Sequence, residues 1–292
     1  MVLIKKTTLK SPAKINLHLR VLKKVPNKYH LIESLVSLIG LYDEITINET
    51  LAKKTKITFL GKFSKTISSH DNSIITALSS LQNINEKIRN KNFIIKVKKN
   101  IPVGSGLGGG SSNAVIVLLF LIKKFNLNVK KKNLLEILNK IGFDSRIFLN
   151  KYPKFISHYG ERINIFKYKF RLNVLLIYPN KPNFTKTIYQ KNKSFSKTFC
   201  TKRTQQRIKK NIHEYFRTAN NDLVYAAKKI NPRIGHIIDY LKKQKMCDFV
   251  QMTGSGSCCF AIFKSKKTLL KCEKLVKTRY RSYWTAKTKT IT

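Results

Sequence analysis

A chain of 292 residues of which 42% are hydrophobic is long enough to bury a core and too apolar to be disordered throughout. It carries 59 Lys and Arg against 14 Asp and Glu, a formal net charge of +45. Such a charge is compatible with nucleic-acid binding. However, lysine is spread evenly through predicted strands, helices and loops, whereas a nucleic-acid-binding protein would concentrate it on one face. We therefore expect no nucleic-acid partner.

The cysteines and the apolar runs indicate a compartment. Five cysteines are an odd number without a Cys-x-x-Cys pair, so neither a disulfide framework nor a cysteine metal site is expected. The longest apolar run, 114–122, is about half of a membrane span. The N-terminal segment MVLIKKTTLK lacks the apolar centre of a signal peptide. These features predict a soluble cytoplasmic protein with no membrane partner.

The first predicted element is a strand over 13–21 (AKINLHLRV), in which apolar and polar residues alternate strictly. Because successive side chains of a strand point to opposite faces, the apolar residues should pack on a core. The polar residues then share the other face, where Lys14 and Asn16 lie side by side. The alternation predicts a half-buried strand.

Later elements alternate between helices and strands without an internal repeat. Asp71 or Asn72 is positioned to cap a helix over 71–82, and a helix over 134–142 ends at Gly142. Further strands are predicted at 43–49, 92–99, 173–179 and 258–263, and further helices at 222–230, 234–243 and 268–277.

One segment has no periodicity. Residues 190–212 are basic and polar, which predicts a mobile surface loop and makes them the best local candidate for a nucleic-acid contact. The alternation of elements on both sides of this segment predicts an α/β protein with two domains, 1–160 and 161–292.

The most informative stretch is IPVGSGLGGGSSNA (101–114), in which five glycines fall within seven positions directly before an apolar helix. Glycine accepts positive φ and lets backbone N–H groups approach a ligand, and a helix N-terminus adds partial positive charge. Ser111 or Ser112 is positioned to be the N-cap. The stretch predicts a loop that cradles the phosphates of a nucleoside triphosphate, although a tight turn would need the same glycines.

Two common phosphate-binding motifs do not fit this loop. It does not end in the Gly-Lys-Ser/Thr of a Walker A motif. It matches G-x-G-x-x-G, but about twenty residues later the chain reads LNVKKK and offers no acidic residue for a ribose. A dinucleotide-binding site is therefore not expected.

Two further motifs flank the loop: SPAKINL (11–17) precedes it and MTGSGSCCF (252–260) follows it. This order resembles the family of small-molecule kinases that includes galactokinase, homoserine kinase and mevalonate kinase. The resemblance runs from about residue 9 to about residue 285. The ending Gly-Gly-Gly-Ser-Ser-Asn-Ala and the pair Tyr29-His30 are similar to the members that act on a cytidine diphosphate-linked methylerythritol.

The resemblance implies a fold and an activity. The fold would be a two-domain α/β (α+β type) kinase fold, with an N-terminal ATP-binding domain built like the second domain of ribosomal protein S5. A C-terminal α/β sandwich domain would follow, with the active site in the cleft between the two. The activity would be ATP-dependent phosphorylation of the substrate's 2-hydroxyl with Mg²⁺ in the non-mevalonate route to isoprenoid precursors, by a monomer or weak homodimer.

The resemblance also implies residue roles. The family's catalytic lysine matches Lys14, and its catalytic aspartate matches Asp144 in GFDSRIF. Asp144 would accept the proton of the attacking hydroxyl, and Lys14 would keep Asp144 ionised and stabilise charge on the transferring group. The loop around the ATP phosphates would comprise Pro102, Val103, Gly104, Ser105, Gly106, Leu107, Gly108, Gly109, Gly110, Ser111 and Ser112. The substrate-binding residues would be Asn16, Tyr29, His30, Thr185, Tyr189, Gly254, Ser255 and Gly256, and no side chain is assigned as a metal ligand.

Two departures from the family pattern stand out. Lys28 occupies a position that is usually glycine, next to the pair expected to hold the cytosine ring. Ser145 and Arg146 replace Val-Pro after the aspartate, so Arg146 either lowers the proton affinity of Asp144 or points to solvent.

Two other functions stay open. One is another kinase of the same family, such as homoserine or mevalonate kinase, against which the Tyr-His pair and Tyr189 argue. The other is a basic nucleic-acid-binding protein, which would show a steep salt dependence and would not need the glycine loop.

Overall fold

The structure is a computed structural model that describes residues 8–25, 30–198 and 201–292. It separates into two compact units, each assembled from three segments of the chain. The first unit consists of the described part of Met1–Ala13 with Leu41–Val103 and Gly108–Leu149, and the second of Lys14–Gly40, Gly104–Leu107 and Asn150–Thr292. The division into 1–160 and 161–292 stays a prediction.

The first unit packs helices on a sheet of strand order β3-β4-β2. Its strands are the start of β1 (Thr8–Lys24), the second half of β2 (His30–Thr50), β3 (Lys56–Leu60) and β4 (Asn92–Lys98). β4 is antiparallel to β2 and parallel to β3, and its residues at every second position are fully buried, as the alternation predicts. The helices are α1 (Ser73–Ile84), α2 (Glu86–Arg89), α3 (Gly109–Lys124), α4 (Lys131–Ile141) and a 3₁₀ helix over Phe143–Leu149.

The second unit contains an antiparallel sheet of order β2-β10-β7-β9-β8, and β5 and β6 extend from the first half of β2. The strands are β5 (Lys154–His158), β6 (Arg162–Ile165), β7 (Asn173–Tyr178), β8 (Phe249–Met252), β9 (Cys259–Phe263) and β10 (Trp284–Ile291). The helices are α5 (Thr185–Lys191), α6 (Thr201–Lys210), α7 (Ile212–Tyr215), α8 (Val224–Ile230), α9 (Pro232–Lys242) and α10 (Lys266–Arg279), with a 3₁₀ turn over Phe216–Thr218. The core of this unit lies between the inner strands and α8, α9 and α10.

Most predicted elements are confirmed, and local signals account for several of their ends. Asn72 caps α1, because its Oδ1 accepts hydrogen bonds from the backbone N–H of Ile74 at 3.0 Å and of Ile75 at 3.2 Å. α4 ends at Gly142, which has φ +140°. The strands β7 and β9 are buried on both faces, as their continuous apolar runs predict.

Two predictions are wrong. β1 is buried on both faces instead of one: Lys14 is 3% exposed and Asn16 is 5% exposed, because residues distant in sequence cover the polar face. The segment 190–212 is not a continuous loop, because α6 occupies Thr201–Lys210. Within α6, Thr204 and Ile208 are buried one turn apart, which is enough to anchor an otherwise polar and charged helix.

Two further observations concern the chain as a whole. Across residues 8–25, 30–198 and 201–292, no helix is long and apolar enough to cross a membrane. Cys247, Cys258, Cys259 and Cys272 are free thiols, and Cys200 lies outside the described residues.

Candidate active site

The three motifs meet in the second unit around residues 104–107 of the glycine loop. Each of these four residues uses its carbonyl oxygen to accept a hydrogen bond. The bonds are Asn183 N–H to Gly104 O at 3.1 Å, Cys258 N–H to Ser105 O at 3.1 Å, Thr253 Oγ1–H to Gly106 O at 3.3 Å and Lys14 N–H to Leu107 O at 2.9 Å. Because C=O and N–H point in opposite directions across a trans peptide, the N–H groups of residues 105–108 point away from these donors.

Glycine is required in this loop for two reasons. Gly104, Gly106 and Gly108 have φ of +63°, +79° and +73°, a region that other residues enter only at a cost. The backbone also approaches its neighbours too closely for a side chain. A Cβ at Gly106 would lie 2.3 Å from the carbonyl oxygen of Thr253.

Replacing Gly106 by alanine is therefore expected to destabilise the protein. Positive φ costs an alanine on the order of 1–3 kcal/mol, and the overlap with Thr253 O would also push two backbone segments apart. Urea unfolding of Gly106→Ala should report a loss of free energy of unfolding of at least that size.

Gly235→Ala provides the matched control within the same unit. Gly235 lies inside α9, where a Cβ would meet only the flexible side chain of Lys228 at 3.5 Å. Alanine is a better helix former than glycine by about 1 kcal/mol, so this variant should be neutral or more stable. Equal losses in the two variants would contradict the close approach at Gly106.

The helix after the loop begins earlier than predicted. α3 starts at Gly109 with Gly108 as its N-cap, and no side chain caps it. The predicted N-cap at Ser111 or Ser112 is wrong, because the positive φ of Gly108 lets the chain enter the helix directly. Both serines lie in its first turn: Ser111 is half-buried, and Ser112 is buried with its Oγ accepting a hydrogen bond from Ser11 Oγ at 2.7 Å.

A buried polar cluster, not predicted from the sequence, holds the first turn of α3 in the first unit. The Oδ1 atom of Asp43 accepts the backbone N–H groups of Asn100 at 2.7 Å and Ile101 at 2.9 Å. Its Oδ2 atom pairs with Lys99 Nζ and accepts from Asn113 Nδ2 at 3.0 Å. Burial lowers the pKa of Lys99, and the charge of Asp43 acts against that shift.

This Asp43 cluster (Ser11, Asp43, Lys99, Ser112 and Asn113) continues to β1. Asn113 donates to Ser11 Oγ at 3.0 Å, accepts from Lys99 Nζ at 2.8 Å, and is 2% exposed. The cluster joins strand β1, strand β2 and the segment before the glycine loop to the helix that follows the loop. In the sequence, Asp43 is distinguished only by the scarcity of acidic residues.

Lys14 and Asn16 lie side by side, as predicted. Lys14 Nζ donates to Asn16 Oδ1 at 2.7 Å. Asn16 donates from Nδ2 to Ser34 Oγ at 2.9 Å and from its backbone N–H to Thr253 Oγ1 at 3.1 Å. A Cβ at Gly254 would lie 3.5 Å from Lys14 Nζ, so the third motif runs directly past this ammonium group.

Asp144 belongs to the first unit, whereas Lys14 belongs to the second. Asp144 is half-buried in the 3₁₀ helix that follows α4. Ser145 Oγ donates to Leu138 O at 2.7 Å, and Arg146 Nη2 donates to Asn139 Oδ1 at 2.8 Å. The two residues that depart from the family pattern therefore tie this turn to α4.

Two of the residues assigned to a cytosine ring, His30 and Tyr189, come together in the second unit. The rings of His30 and Tyr189 have centroids 5.2 Å apart and are tilted by 45°. Thr185 lies one turn before Tyr189 on α5, and its Oγ1 is 2.9 Å from Ser255 Oγ. Tyr29 and Lys28 lie outside the described residues.

The surroundings of His30 favour the neutral form of its imidazole. Burial and the positive charge of Lys24 lower the pKa of its imidazole. The side chain is 7% exposed, and within the described parts of the chain its Nε2 atom has no hydrogen-bond partner. Such an atom lacks the hydrogen-bond partner that a buried polar group normally has.

Comparison with known families accounts for these motifs. The family model "GHMP kinases N terminal domain" matches residues 72–148, and "GHMP kinases C terminal" matches residues 201–277. A protein of Pelagibacter ubique (strain HTCC1062) named 4-diphosphocytidyl-2-C-methyl-D-erythritol kinase is 39% identical over 283 residues, which cover 97% of this chain and 98% of that protein. The chain belongs to the 4-diphosphocytidyl-2-C-methyl-D-erythritol kinase family.

A further relative and two solved structures support the same family and fold. A relative of the same name from Prochlorococcus marinus (strain MIT 9515) is 31% identical and covers 89% of this chain and 86% of its own length. The crystal structure of a 4-(cytidine 5'-diphospho)-2C-methyl-D-erythritol kinase superimposes with a TM-score of 0.77 over 97% of this chain and 99% of its own, at 21% identity. Homoserine kinase from Cytophaga hutchinsonii gives 0.70 at 13% identity, over 99% of this chain and 96% of its own. The predicted kinase fold of mixed α/β class is confirmed.

Proposed function

We propose that the protein is an ATP-dependent kinase that phosphorylates the 2-hydroxyl of 4-diphosphocytidyl-2-C-methyl-D-erythritol, in the non-mevalonate route to isoprenoid precursors. The name of a relative that is 39% identical over almost the whole chain supports this substrate. The structural observation that carries the choice is the pair of rings of His30 and Tyr189, with centroids 5.2 Å apart. Neither homoserine nor mevalonate has a base that such a pair would bind.

The cytosine is proposed to interact with His30 through hydrogen bonds and with Tyr189 through ring packing. A buried polar atom without a partner costs free energy, and a cytosine edge would remove that cost at His30 Nε2. A neutral imidazole has one donor and one acceptor nitrogen, which suits an uncharged base. The roles of Tyr29, Thr185 and residues 254–256 in this pocket remain proposals.

The ATP phosphates are proposed to lie on the glycine loop, along residues 102–112. Two features support this placement: the N–H groups of residues 105–108 point away from the donors that hold the loop, and α3 begins at Gly109. A helix N-terminus and consecutive N–H groups both attract an anion.

The residues at the loop fit a magnesium ion that arrives with ATP. In the part of the chain that the structure describes, no group of three or more His, Cys, Asp or Glu could hold a metal by itself. Mg²⁺ in phosphoryl-transfer enzymes keeps several waters and takes one or two protein ligands, usually carboxylates, beside the substrate phosphates. We propose that the hydroxyl of Ser111 faces this ion. When bound, Mg²⁺ would neutralise charge on the β- and γ-phosphates.

The transfer step needs one proton acceptor and one positive charge on the protein. Asp144 is proposed to take the proton from the 2-hydroxyl of the substrate. At the same time the oxygen of that hydroxyl bonds to the γ-phosphorus and the bond between the γ-phosphorus and ADP breaks. Lys14, held by Asn16, is proposed to stabilise the negative charge of the transferring group. The cytoplasmic location and the monomer or weak homodimer remain predictions.

The test is an assay of ATP-dependent phosphorylation with three acceptors under the same conditions. We expect turnover of 4-diphosphocytidyl-2-C-methyl-D-erythritol with Mg²⁺ and none of mevalonate or homoserine. Turnover of either of the other acceptors instead would make the protein a different kinase of the same fold. Protein that is folded and binds ATP but phosphorylates none of the three would contradict the proposal as a whole.

A further inference from the structure

Three arginines line a cavity of about 170 Å³ in the second unit. Arg20 comes from β1, and Arg203 and Arg207 come from successive turns of α6. Among the described residues, no aspartate or glutamate lines the cavity. Arg203 and Arg207 also make no ion pair in the residues that the structure describes. The three arginines give the lining a formal charge of +3.

We propose that this arginine cavity binds a phosphate group of a small molecule other than ATP or the kinase substrate. Guanidinium groups present donors in a fixed fork that matches two phosphate oxygens at once. Residues four apart on a helix lie on the same face, so Arg203 and Arg207 can approach one phosphate from one side. Arg20 approaches it from the strand.

Neutral partners hold two of the three guanidinium groups in place. Arg207 Nη2 donates to Thr218 Oγ1 at 3.3 Å, and Arg20 Nη1 donates to the carbonyl oxygen of Lys197 at 3.2 Å. The Thr218 hydroxyl leaves the positive charge of Arg207 unreduced. A site whose donors are oriented before binding loses less entropy when an anion enters.

The floor of the cavity is buried and stays uncharged. His18 is 2% exposed, Tyr215 is 5% exposed, and His18 Nδ1 shares a hydrogen bond with the Tyr215 hydroxyl. Burial and the charge of Arg20 lower the pKa of His18 to about 3, and burial raises the pKa of Tyr215. At neutral pH the floor therefore carries no negative charge that would compete with a phosphate. Thr204, which is 8% exposed, adds another polar group to the lining.

Size and position favour a separate small molecule. A volume of 170 Å³ corresponds to roughly five or six water molecules, which is room for a phosphate group. Arg20 is six residues beyond Lys14 on the same strand, about 20 Å at roughly 3.3 Å per residue. The diphosphate of the kinase substrate lies only a few bonds from its reacting hydroxyl. A phosphate in the arginine cavity would thus belong to another molecule, either inorganic phosphate or a phosphate ester.

Calorimetric titration of the full chain with inorganic phosphate, pyrophosphate and glycerol 3-phosphate tests this proposal and separates the two sources. The double variant Arg203→Gln/Arg207→Gln removes two exposed guanidinium groups and should weaken binding of the preferred probe by at least roughly tenfold. The control Lys202→Gln/Lys209→Gln removes the same charge from the same helix at exposed positions outside the cavity. We expect it to change the affinity less than about twofold.

Four results would overturn the proposal. They are no binding of any probe, equal losses in the two double variants, displacement of the probe by saturating ATP or kinase substrate, and binding of an RNA oligonucleotide alone with the same dependence on Arg203 and Arg207. The titration needs no turnover, so its outcome does not depend on the proposed kinase activity.

Discussion

Asp144→Asn is expected to lower the rate of phosphoryl transfer by roughly 10²–10⁴ and to leave the KM for ATP nearly unchanged. Asparagine has nearly the same shape as aspartate but cannot accept a proton from the substrate hydroxyl. The turn itself should persist, because Ser145 Oγ still donates to Leu138 O and Ser145 N–H still donates to Gly142 O. Steady-state kinetics with purified protein measure both parameters.

A second Asp→Asn change controls for the loss of charge. Asp239 is 63% exposed on α9 and pairs with Lys228 at 3.0 Å, and exposed pairs of this kind contribute little. Asp239→Asn should therefore retain the wild-type rate. If Asp144→Asn also retained it, Asp144 would not be the base and the proton would need another acceptor.

The strand β1 illustrates which parts of the site a sequence can predict. Alternation is a local property, so the pattern over 13–21 correctly placed Lys14 beside Asn16. The burial of that polar face depends on Thr253, which is 237 positions from Asn16. A pattern read over nine residues cannot predict a contact with a residue that far away in the sequence. The predicted burial was therefore wrong where the predicted geometry was right.

The predictions for α6 and for the start of α3 failed for different reasons. In α6 charged residues occupy half of the positions, and among its residues of described burial only Thr204 and Ile208 form the buried stripe, so the helical period was hidden. At α3 the serines are good capping residues by composition, but Gly108 in the left-handed region begins the helix before them. The sequence shows five glycines in this loop, but it does not indicate which of them adopts the left-handed conformation at which the helix begins.

Asp43→Ala is expected to cause the largest loss of stability, about 3–5 kcal/mol in free energy of unfolding. The substitution would leave the Lys99 ammonium, which is 2% exposed, without its carboxylate. It would also remove the acceptor of the N–H groups of Asn100 and Ile101 and of Asn113 Nδ2. Unpaired buried donors and an unpaired buried charge are both costly. Urea unfolding monitored by circular dichroism measures the loss.

The adjacent residue offers a matched control. Glu44 pairs with Lys98 at 3.5 Å, and the two side chains are 44% and 58% exposed. Glu44→Ala should therefore cost less than about 1 kcal/mol in free energy of unfolding. Like Asp43→Ala, it removes one carboxylate from β2 and leaves one lysine without its partner.

The same pair of variants tests whether the Asp43 cluster positions the glycine loop. Ser112 and Asn113 belong to the cluster and to the N-terminal part of α3, on which the ATP phosphates are proposed to lie. Under conditions where both variants are folded, Asp43→Ala should therefore raise the KM for ATP, whereas Glu44→Ala should not. Equal stability losses in the two variants would mean that the buried cluster does not hold this unit together. A large loss of stability without a change in the KM for ATP would mean that the cluster supports the fold but does not position the loop.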